Sequence, residues 1–375
     1  MRRIIFLIGF LLFASHVICT AQKKIEVPSW ALGPFVRPAQ GNPVFVPNKS
    51  AKFLDPMSGK MIAWEESDTF NPGAVLKDGK INVLYRAEDN SAVGIGSRTS
   101  RLGLAVSANG IKMQRRNTPV LFPANDVAKE FEWPGGCEDP RVAVTRDGRY
   151  LVLYTEWNHK NPRLGVALSK DLVHWKKYGP IFAKAYGGHF LNMNTKSASI
   201  VTKLQNGKVV IAKVNGKYWI YWGEEHVYAA TSTDLVNWTP LTKANGSLKI
   251  LMSSRPGFFD SDLTECGPPA LMTKNGILLL YNGKNDAAHG DKNYTANAYS
   301  AGQALFDVKN PEKLLHRLDK PFFVPTEPFE KSGQYPAGTV FVEGLVYHQQ
   351  LWYLYYGCAD SRVGVAMSKS SVGVK

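Results

Sequence analysis

The chain has 375 residues, a formal net charge of +14, 44% hydrophobic residues and 11% aromatic residues. This length supports a large buried core and permits one or two domains. Lysine and arginine are dispersed along predicted turns, without the basic runs and interleaved aromatic residues typical of nucleic-acid binding, so the charge indicates a solvated basic surface and argues against nucleic acid as a partner.

The N-terminus has the pattern of a cleaved secretory signal. Arg2 and Arg3 precede an uninterrupted run of apolar residues and glycine over residues 4–13, and a small-residue region at 19–21 follows. The run is too short to span a bilayer permanently, and no later segment is apolar enough to do so. The protein is therefore expected to have no integral membrane segment.

These features predict two regions, a signal peptide over residues 1–21 and a single catalytic domain over residues 22–375. The mature protein is expected to cross the inner membrane and to remain in the periplasm or at the cell surface. A lipoprotein signal through Cys19 is the weaker interpretation, because the bulky Ile18 precedes the cysteine where a small residue is expected.

One strand-and-turn pattern recurs five times along the chain. Each copy is an apolar strand that contains small residues, and successive copies lie roughly 60 to 75 residues apart. The copies are at 102–107, 164–175, 227–238, 300–307 and 363–368. An aromatic, β-branched strand precedes each copy, at 81–86, 150–156, 218–223, 277–281 and 352–357. The repeat predicts one supersecondary unit that is used five times.

Nearly the whole chain after the signal has the pattern of short antiparallel strands, often joined at polar turns that end in glycine, such as 77–79 and 146–148. Helical periodicity is sparse, and the clearest short helix is predicted at 310–315. Five modules of about four strands predict an all-β five-bladed β-propeller, whose closure removes exposed sheet edges. A pair of β-sandwiches is the alternative, but it would leave the fivefold repeat unexplained.

Cysteine usage predicts neither a metal site nor a disulfide framework. Cys137, Cys266 and Cys358 remain after the predicted signal, and no CxxC motif or paired Cys/His spacing accompanies them. The three are best explained as small apolar residues near strand ends. No metal and no cofactor is therefore expected.

A propeller would bring residues of different modules together at one mouth of a central channel. Polar groups close to proline or glycine stand at four of the five predicted inner-strand starts, including Asn71, Asp139 and Glu265. With Glu138 and Arg141, Asp139 places two carboxylates and a guanidinium there. The proline that follows is expected to hold Asp139 in extended geometry. The alternative interpretation is a turn with a structural Glu138–Arg141 ion pair.

Five ordered motifs resemble those of glycoside hydrolase family 130. They are Phe-Asn-Pro-Gly at 70–73, Leu-Tyr-Arg at 84–86, Gly-Cys-Glu-Asp-Pro-Arg at 136–141, Lys-Tyr-Trp-Ile-Tyr-Trp-Gly-Glu at 217–224 and Tyr-Tyr-Gly-Cys-Ala-Asp at 355–360. The likeness runs from about residue 71 to the C-terminus. That family contains mannoside phosphorylases and β-mannosidases on a five-bladed propeller. The resemblance therefore implies this fold, an enzyme, and a mannose-containing oligosaccharide as substrate.

The resemblance implies that Asp139 is the general acid and passes its proton to the glycosidic oxygen through a hydroxyl of the bound mannose. An acid in this role needs a carboxyl that is neutral at working pH, and Glu138 is expected to raise the pKa of Asp139 while Arg141 opposes the rise. The predicted substrate-binding residues are Asn71, Arg86, Glu138, Arg141, Lys196, Asp262, Tyr356 and Asp360, and Arg141 is expected to orient Glu138 or Asp139.

The group that attacks the anomeric carbon separates the two activities of the family. A phosphorylase needs basic residues for phosphate, whereas an inverting hydrolase needs a carboxylate base that activates water. Glu224 and Glu265 look like the paired glutamates of the hydrolytic β-1,2-mannosidase branch, with Glu225 as the fallback. Carboxylates at this place would repel phosphate. Salt bridges to Lys196 or His226 are the alternative explanation for them.

The sequence thus predicts an exported, exo-acting, inverting β-mannosidase that hydrolyses β-1,2-linked mannosides, with Asp139 as acid and Glu224 and Glu265 activating water. The first alternative is a β-mannoside phosphorylase that releases mannose 1-phosphate, for which Lys196 and His189 would supply basic ligands. A non-catalytic sugar-binding propeller is the alternative from another class.

Overall fold

The computed structural model describes residues 26–373, so the predicted signal peptide over 1–21 lies outside the described residues. Regular structure within 26–373 is almost entirely β-strand. One helical turn, α1, spans Lys129–Glu132, and short 3₁₀ turns span Ala185–Gly188 and Pro328–Glu330. The all-β class is confirmed, and the described part of the chain contains no helix with the length and hydropathy to cross a bilayer.

The strands follow one another in consecutive antiparallel modules, after a short hairpin of β1 (Phe53–Leu54) and β2 (Met61–Ile62). Module one consists of β3 (Asp68–Lys77), β4 (Lys80–Glu88), β5 (Ser100–Ser107) and β6 (Gln114–Arg115). Module two consists of β7 (Gly136–Val144), β8 (Tyr150–Trp157), β9 (Pro162–Ser169) and β10 (Trp175–Pro180).

Module three is the most irregular, because its first strand pairs with two strands of its own module and, in parallel, with β19 (Ala270–Met272) of module four. It consists of β11 (Ala198–Gln205), β12 (Lys208–Ile211), β13 (Lys213–Val214), β14 (Lys217–Trp222), β15 (His226–Ser232), β16 (Thr239–Pro240) and β17 (Met252–Ser253). The start of β11 pairs with β14 and its end pairs with β12.

Modules four and five complete the chain. Module four consists of β18 (Leu263–Cys266), β19 (Ala270–Met272), β20 (Ile277–Lys284), β21 (Tyr299–Phe306) and β22 (Leu314–Arg317). Module five consists of β23 (Val340–His348), β24 (Leu351–Cys358) and β25 (Arg362–Ser368). The N-terminal segment lies on the outer side of β25, where Val36 bridges Met367 and Phe45 bridges Val363. The two ends of the described chain therefore meet in one module.

The hydrophobic core lies between neighbouring modules. Leu84 and Leu102 of module one, for example, belong to the same buried cluster as Val142 and Val152 of module two. Each sheet thus buries apolar side chains against the next sheet along the chain. Burial of this kind is the main favourable contribution to folding.

The helix predicted at 310–315 is wrong. Residues 310–313 form a turn, in which the Lys313 amide donates to the Asn310 carbonyl at 2.9 Å, and β22 begins at Leu314. An Asn-Pro pair begins a turn as readily as a helix, and here pairing of β22 with β21 decides the outcome.

A buried triad of tyrosine, carboxylate and cation recurs in four of the five modules. A tyrosine of the second main strand donates its hydroxyl at 2.6 to 2.9 Å to a carboxylate from the segment before the first strand. A basic residue from the outer strand region pairs with the same carboxylate. The triads are Tyr85–Glu65–Arg115, Tyr154–Glu132–Lys177, Tyr281–Asp260–Arg317 and Tyr356–Glu330–Arg37. Each triad ties three separate parts of its module together.

These tyrosines explain the glycine that recurs in the sequence repeat. In the four modules with a triad, the tyrosine stands opposite a glycine of the next strand. A Cβ at Gly103, Gly302 or Gly364 would lie only 2.3 to 2.5 Å from the facing ring. Module three departs from this arrangement, since Trp222 replaces the tyrosine and Tyr228 replaces the glycine, with ring centroids 4.8 Å apart.

We expect Glu330→Gln to destabilise the protein strongly. The carboxylate is fully buried and accepts hydrogen bonds from Arg37 at 2.6 and 2.9 Å, so the amide would leave a buried guanidinium without its counterion. The expected loss in free energy of unfolding is about 3 to 5 kcal/mol, measured by urea titration. The control is Glu312→Gln, which breaks a surface ion pair with Lys249 and should cost at most about 1 kcal/mol. Equal losses in the two variants would contradict the structural role of the triad.

Candidate active site

Bulges in the first strands of modules one, two and five position the central side chains. The register shifts between Phe70 and Pro72, between Glu138 and Arg141, and between Val342 and Gly344. A bulge leaves a residue unpaired and increases the local twist, which redirects its side chain.

The prediction that proline holds Asp139 in extended geometry is wrong. Asp139 has a φ of 49° and the equivalent Asn71 has a φ of 45°, so both lie in the left-handed region. Asparagine and aspartate tolerate this region better than most residues, and the bulge overrides the preference that the following proline imposes.

Arg86 is the hub of one half of the candidate site. From the middle of β4, its guanidinium contacts Glu88 at 2.7 Å, Glu138 at 2.8 Å and Asp139 at 3.1 Å, and its Nε donates to Ser100 at 3.0 Å. One cation thus faces three carboxyl groups, all of them buried. Three negative charges cannot be stable beside one positive charge at low dielectric, so the cluster is expected to retain a proton at neutral pH.

The retained proton is assigned to Glu138 and not to Asp139. Burial raises the pKa of Glu138 to about 7, with Asp139 and Glu88 adding to the rise and Arg86 opposing it. Burial also acts to raise the pKa of Asp139, but Arg86, Lys196, Arg141 and the hydrogen bond from Asn71 lower it to about 2. The charges around Asp139 in this geometry therefore act against the neutral carboxyl that the sequence predicts.

Asp139 nevertheless presents an open acceptor. Asn71 Nδ2 donates to Oδ1 at 2.9 Å and Arg86 lies 3.1 Å from the same oxygen. Among residues 26–373 the contacts to this carboxylate fall on Oδ1, which leaves Oδ2 available to a ligand. Asp360, beyond the end of β24, contributes a second carboxyl near Arg86 and Asp139. Burial raises the pKa of Asp360 to about 7, while the Arg86 charge opposes the rise.

Lys196 forms the other half of the candidate site. Its Nζ lies 3.4 Å from Glu224 Oε2 and 3.5 Å from Glu265 Oε1, and Ser197 Oγ also donates to Glu265. Burial acts to lower the pKa of Lys196, but Glu265, Glu224, Asp139 and Glu138 raise it well above its ordinary value. Lys196 is thus a permanent cation whose charge reaches both halves of the site.

We expect the stability of the protein to depend on pH through Glu138. Its folded-state pKa of about 7 exceeds the ordinary glutamate value, so the folded state binds the extra proton below about pH 7. Between about pH 5 and pH 8, wild-type stability should therefore fall relative to that of Glu138→Gln, which has no proton to lose. Urea titrations at both pH values measure the difference in free energy of unfolding between wild type and Glu138→Gln. If that difference is the same at both pH values, Glu138 is already ionised at about pH 5.

The structure brings together most of the predicted site residues. Arg86 lies at the centre of a first cluster with Asn71, Glu138, Asp139 and Asp360. The second cluster consists of Lys196, Glu224 and Glu265. The expected salt bridges of Lys196 to these glutamates are also present. Glu138 pairs with Arg86 in the described structure, and not with Arg141 as in the alternative interpretation.

Four predicted residues lie elsewhere. Tyr356 is wrong as a substrate contact, because it is fully buried and its hydroxyl is committed to Glu330. Arg141 is also buried, and its guanidinium binds the carbonyls of Asp139 and Cys266 beneath the site. Asp262 pairs with Lys284 at 2.8 Å, and the Glu225 side chain is exposed, so neither belongs to the two clusters.

Sequence reasoning missed Glu88, Ser100 and Ser197. Glu88 could have been found, because it stands two residues after Arg86 on one strand and alternate strand residues share a face. Ser100 begins β5 and contacts Arg86 only through the register of β4 with β5. That register is a tertiary feature that no single motif contains.

The arrangement can supply both an acid and a base but shows no place for a metal. Within residues 26–373, no group of three or more His, Cys, Asp or Glu side chains is arranged to hold a metal ion. Two carboxyl-rich clusters that share the charge of Lys196 suit proton transfer to and from a neutral, hydroxyl-rich ligand. This chemistry is typical of enzymes that cleave glycosidic bonds.

Comparisons with known proteins agree with this chemistry. Residues 54–372 match the glycoside hydrolase family 130 model, described as β-1,4-mannooligosaccharide phosphorylase. A 1,2-β-oligomannan phosphorylase of Thermoanaerobacter sp. (strain X514) is 31% identical over 308 residues, which cover 81% of this chain and 90% of that protein.

Solved structures are more similar. A glycosyl hydrolase from Bacteroides ovatus has a TM-score of 0.90 at 60% identity, covering 92% of this chain and 96% of the other. A second structure has a TM-score of 0.91 at 61% identity with the same coverage, and was described in work on family 130 hydrolases that target β-1,2 mannosidic linkages in Candida mannan. The chain belongs to glycoside hydrolase family 130 and is a glycoside-active enzyme of this mannoside-processing family.

Proposed function

We propose that the protein is an exo-acting, inverting β-mannosidase that hydrolyses β-1,2-linked mannosides. The observation that carries the proposal is the second cluster, in which Glu224 and Glu265 both contact Lys196, whose charge also acts on Asp139. Two carboxylates against one ammonium leave a net negative charge where a phosphorylase would bind phosphate. Such a site favours water over an anionic nucleophile.

Asp139 is the proposed general acid, with its proton relayed through a hydroxyl of the bound mannose. A neutral sugar bound against Asp139 would add to the desolvation that already acts to raise its pKa, against the charges of Arg86, Lys196 and Arg141 that hold the pKa at about 2. Glu138, with a pKa of about 7, holds a proton on the same Arg86 hub. Asn71, Arg86 and Asp360 are the proposed sugar contacts.

Glu265 is the stronger candidate for the base, with Glu224 as its partner in holding the water. Burial raises the pKa of Glu265 against the opposing charge of Lys196, which makes it a better proton acceptor than an exposed carboxylate. The side chain of Glu224 is 39% exposed and contacts Lys196 through Oε2. It therefore contacts both solvent and the cation that Glu265 also contacts.

Phosphorolysis is the alternative that the relatives favour. Two Thermoanaerobacter relatives, at 31% and 30% identity, are phosphorylases of β-1,2-linked mannosides, and Lys196 could contact a phosphate oxygen. The solved structures at about twice that identity include the work on hydrolases of β-1,2 linkages. The higher identity of these structures supports hydrolysis, the activity that the acidic second cluster favours.

The two activities are separated by one incubation. β-1,2-Mannobiose is supplied with and without inorganic phosphate, and products are followed by anion-exchange chromatography. We expect free mannose at the same rate in both arms, with α-mannose as the first product seen by proton NMR, as inversion requires. Strict dependence on phosphate, with mannose 1-phosphate as product, would refute hydrolysis. Binding without turnover in either arm would favour a non-catalytic sugar-binding protein.

We also propose that the five modules close into a five-bladed β-propeller. The support is the proximity of the first strands of different modules. A Cβ at Gly73 of β3 would lie 2.3 Å from the Pro140 carbonyl of β7, and one at Gly344 of β23 would lie 2.6 Å from the Pro72 carbonyl of β3. Modules one, two and five therefore meet backbone to backbone, as blades do around a channel. A crystal structure that left a module outside the ring would refute this architecture.

Export is proposed from the sequence of residues 1–21. A basic start followed by a short apolar run and small residues is the pattern of a cleaved signal. The test is mass spectrometry of the protein from a periplasmic fraction. A mature N-terminus near Gln22 is expected, and an intact leader on protein confined to the cytoplasm would contradict the proposal.

A further inference from the structure

Arg141 connects the two halves of the candidate site through the backbone. Its NH1 donates to the Asp139 carbonyl at 3.0 Å, and its NH2 donates to the Cys266 carbonyl at 3.0 Å. Cys266 directly follows Glu265 in β18. One planar guanidinium therefore joins the backbone of the proposed acid to the peptide next to the proposed base. A fork of two parallel donors fixes both distance and orientation, which a lysine cannot do.

Glu343 is the acidic group next to this guanidinium. It occupies the bulge of β23, is fully buried, and has Oε1 at 3.2 Å from Arg141 NH1. The contact has the distance of an ion pair without hydrogen-bond geometry, since both carboxyl oxygens and Arg141 Nε lack hydrogen-bond partners among the described residues. A buried, ionised carboxylate without hydrogen bonds would be costly, so this group is better accommodated as a neutral acid.

The surrounding charges agree with a neutral Glu343. The titratable groups that face it are Arg141 and Asp139 of β7, Glu265 of β18 and Arg86 of β4. Burial raises the pKa of Glu343 well above its ordinary value, Asp139 and Glu265 add to the rise, and Arg141 and Arg86 oppose it. Glu343 thus adds a polar contact for Arg141 at 3.2 Å without adding a further negative charge next to the candidate site.

We propose that Arg141 is a positioning residue that fixes the backbone of Asp139 relative to that of Glu265, and that Glu343 holds Arg141 in place. The inference rests on the proposed function, which makes Asp139 the acid and Glu265 the base. It assigns Arg141 a role different from substrate binding. The left-handed bulge at Asp139 is a conformation that the surrounding structure must impose, and the Arg141 hydrogen bond to its carbonyl is one restraint that does so.

The first test compares Arg141→Lys with Arg37→Lys, both measured as full-length mature protein. Arg37 also binds a buried glutamate and a carbonyl, but it lies in the triad of module five. Both variants should lose thermal stability. Arg141→Lys alone should lower kcat, by about 100-fold, as expected for a misplacement of about 1 Å. Its KM should change by less than about threefold, because Arg141 does not touch the sugar.

The second test compares two changes at Glu343. Glu343→Gln preserves shape and neutrality, so kcat should stay within about threefold of wild type and the pH profile of kcat/KM should be unchanged. Glu343→Ala removes the contact to Arg141 and should lower kcat at least about tenfold. If Gln is as damaging as Ala, the carboxyl is needed as an ion and the assignment of a neutral acid is overturned. This pair also carries the proposal if Arg141→Lys does not fold.

The outcomes separate this inference from the proposed function. A folded Arg141→Lys with wild-type kcat overturns the positioning role, whichever activity the enzyme has. If wild type cleaves mannobiose only with phosphate, hydrolysis fails, yet the same comparison is made on phosphorolysis, which also needs Asp139 as acid. If wild type cleaves neither way, a crystal structure of Arg141→Lys decides, and unchanged positions of the Asp139 and Cys266 carbonyls overturn the proposal.

Discussion

Asp139→Asn is expected to abolish nearly all turnover while leaving the fold intact. An amide cannot take part in the proton relay to the glycosidic oxygen, and loss of a general acid typically costs about 10²- to 10⁴-fold in kcat. The amide oxygen can still accept from Asn71 and face Arg86, because both contacts fall on a single oxygen of the native carboxylate. The measurement is kcat on β-1,2-mannobiose together with the thermal unfolding midpoint.

Two controls make this result specific. Asp147→Asn changes an exposed turn of the same module, where the carboxylate pairs with Arg149, and should leave kcat unchanged. A substrate with a good leaving group needs less protonation, so Asp139→Asn should recover part of its rate on an activated aryl mannoside. Retention of more than about a tenth of wild-type kcat on mannobiose would remove Asp139 from the acid role. If wild type shows no turnover, and Asp139→Asn binds mannobiose as tightly as wild type does, the result would instead favour a sugar-binding protein.

The sequence repeat was sufficient to predict the strand order of most modules, because its physical causes are local. The recurring glycine faces a tyrosine ring, so a larger residue there would clash with the ring. The tyrosine donates to a buried carboxylate, so its replacement would deprive that carboxylate of one hydrogen-bond donor. Module three shows the limit of this reasoning. Its Trp222 and Tyr228 replace the pair, and its first strand divides its pairing among β12, β14 and β19.

The site was less predictable than the strands, because side-chain direction depends on bulges and on neighbouring modules. Motifs identified Asp139 and Arg86, but the expectation of an extended Asp139 failed on the bulge, and the charges around it act against a neutral carboxyl. Tyr356 stands in a family-like motif, yet the strand register points it into a triad. The sequence predicts that Arg141 orients Glu138 or Asp139, and only the three-dimensional structure joins it to Cys266 and Glu343.

The second large effect is expected at the proposed base. Glu265→Gln should lower kcat by about 10²- to 10⁴-fold, because the amide cannot accept the proton of the attacking water. Ser197 and Lys196 both approach Glu265 Oε1, which leaves Oε2 for that water. Glu224→Gln should also reduce kcat, but less, since its more exposed carboxylate shares Lys196 and helps to hold the water. The assay is mannose release from β-1,2-mannobiose under single-turnover and steady-state conditions.

Glu225→Gln is the matched control, since this residue is adjacent to Glu224 and has an exposed side chain. Its kcat should equal that of wild type. In Glu265→Ala, a small anionic nucleophile such as azide can occupy the space of the carboxylate and water, and it should restore turnover with the α-mannosyl azide as product, the configuration that inversion requires. Near wild-type rates in both Glu224→Gln and Glu265→Gln would show that neither residue is the base. A loss of kcat found only in Glu225→Gln would assign the base to Glu225. A β-configured azide product would contradict inversion itself, because it would require a covalent intermediate on the opposite face of the sugar.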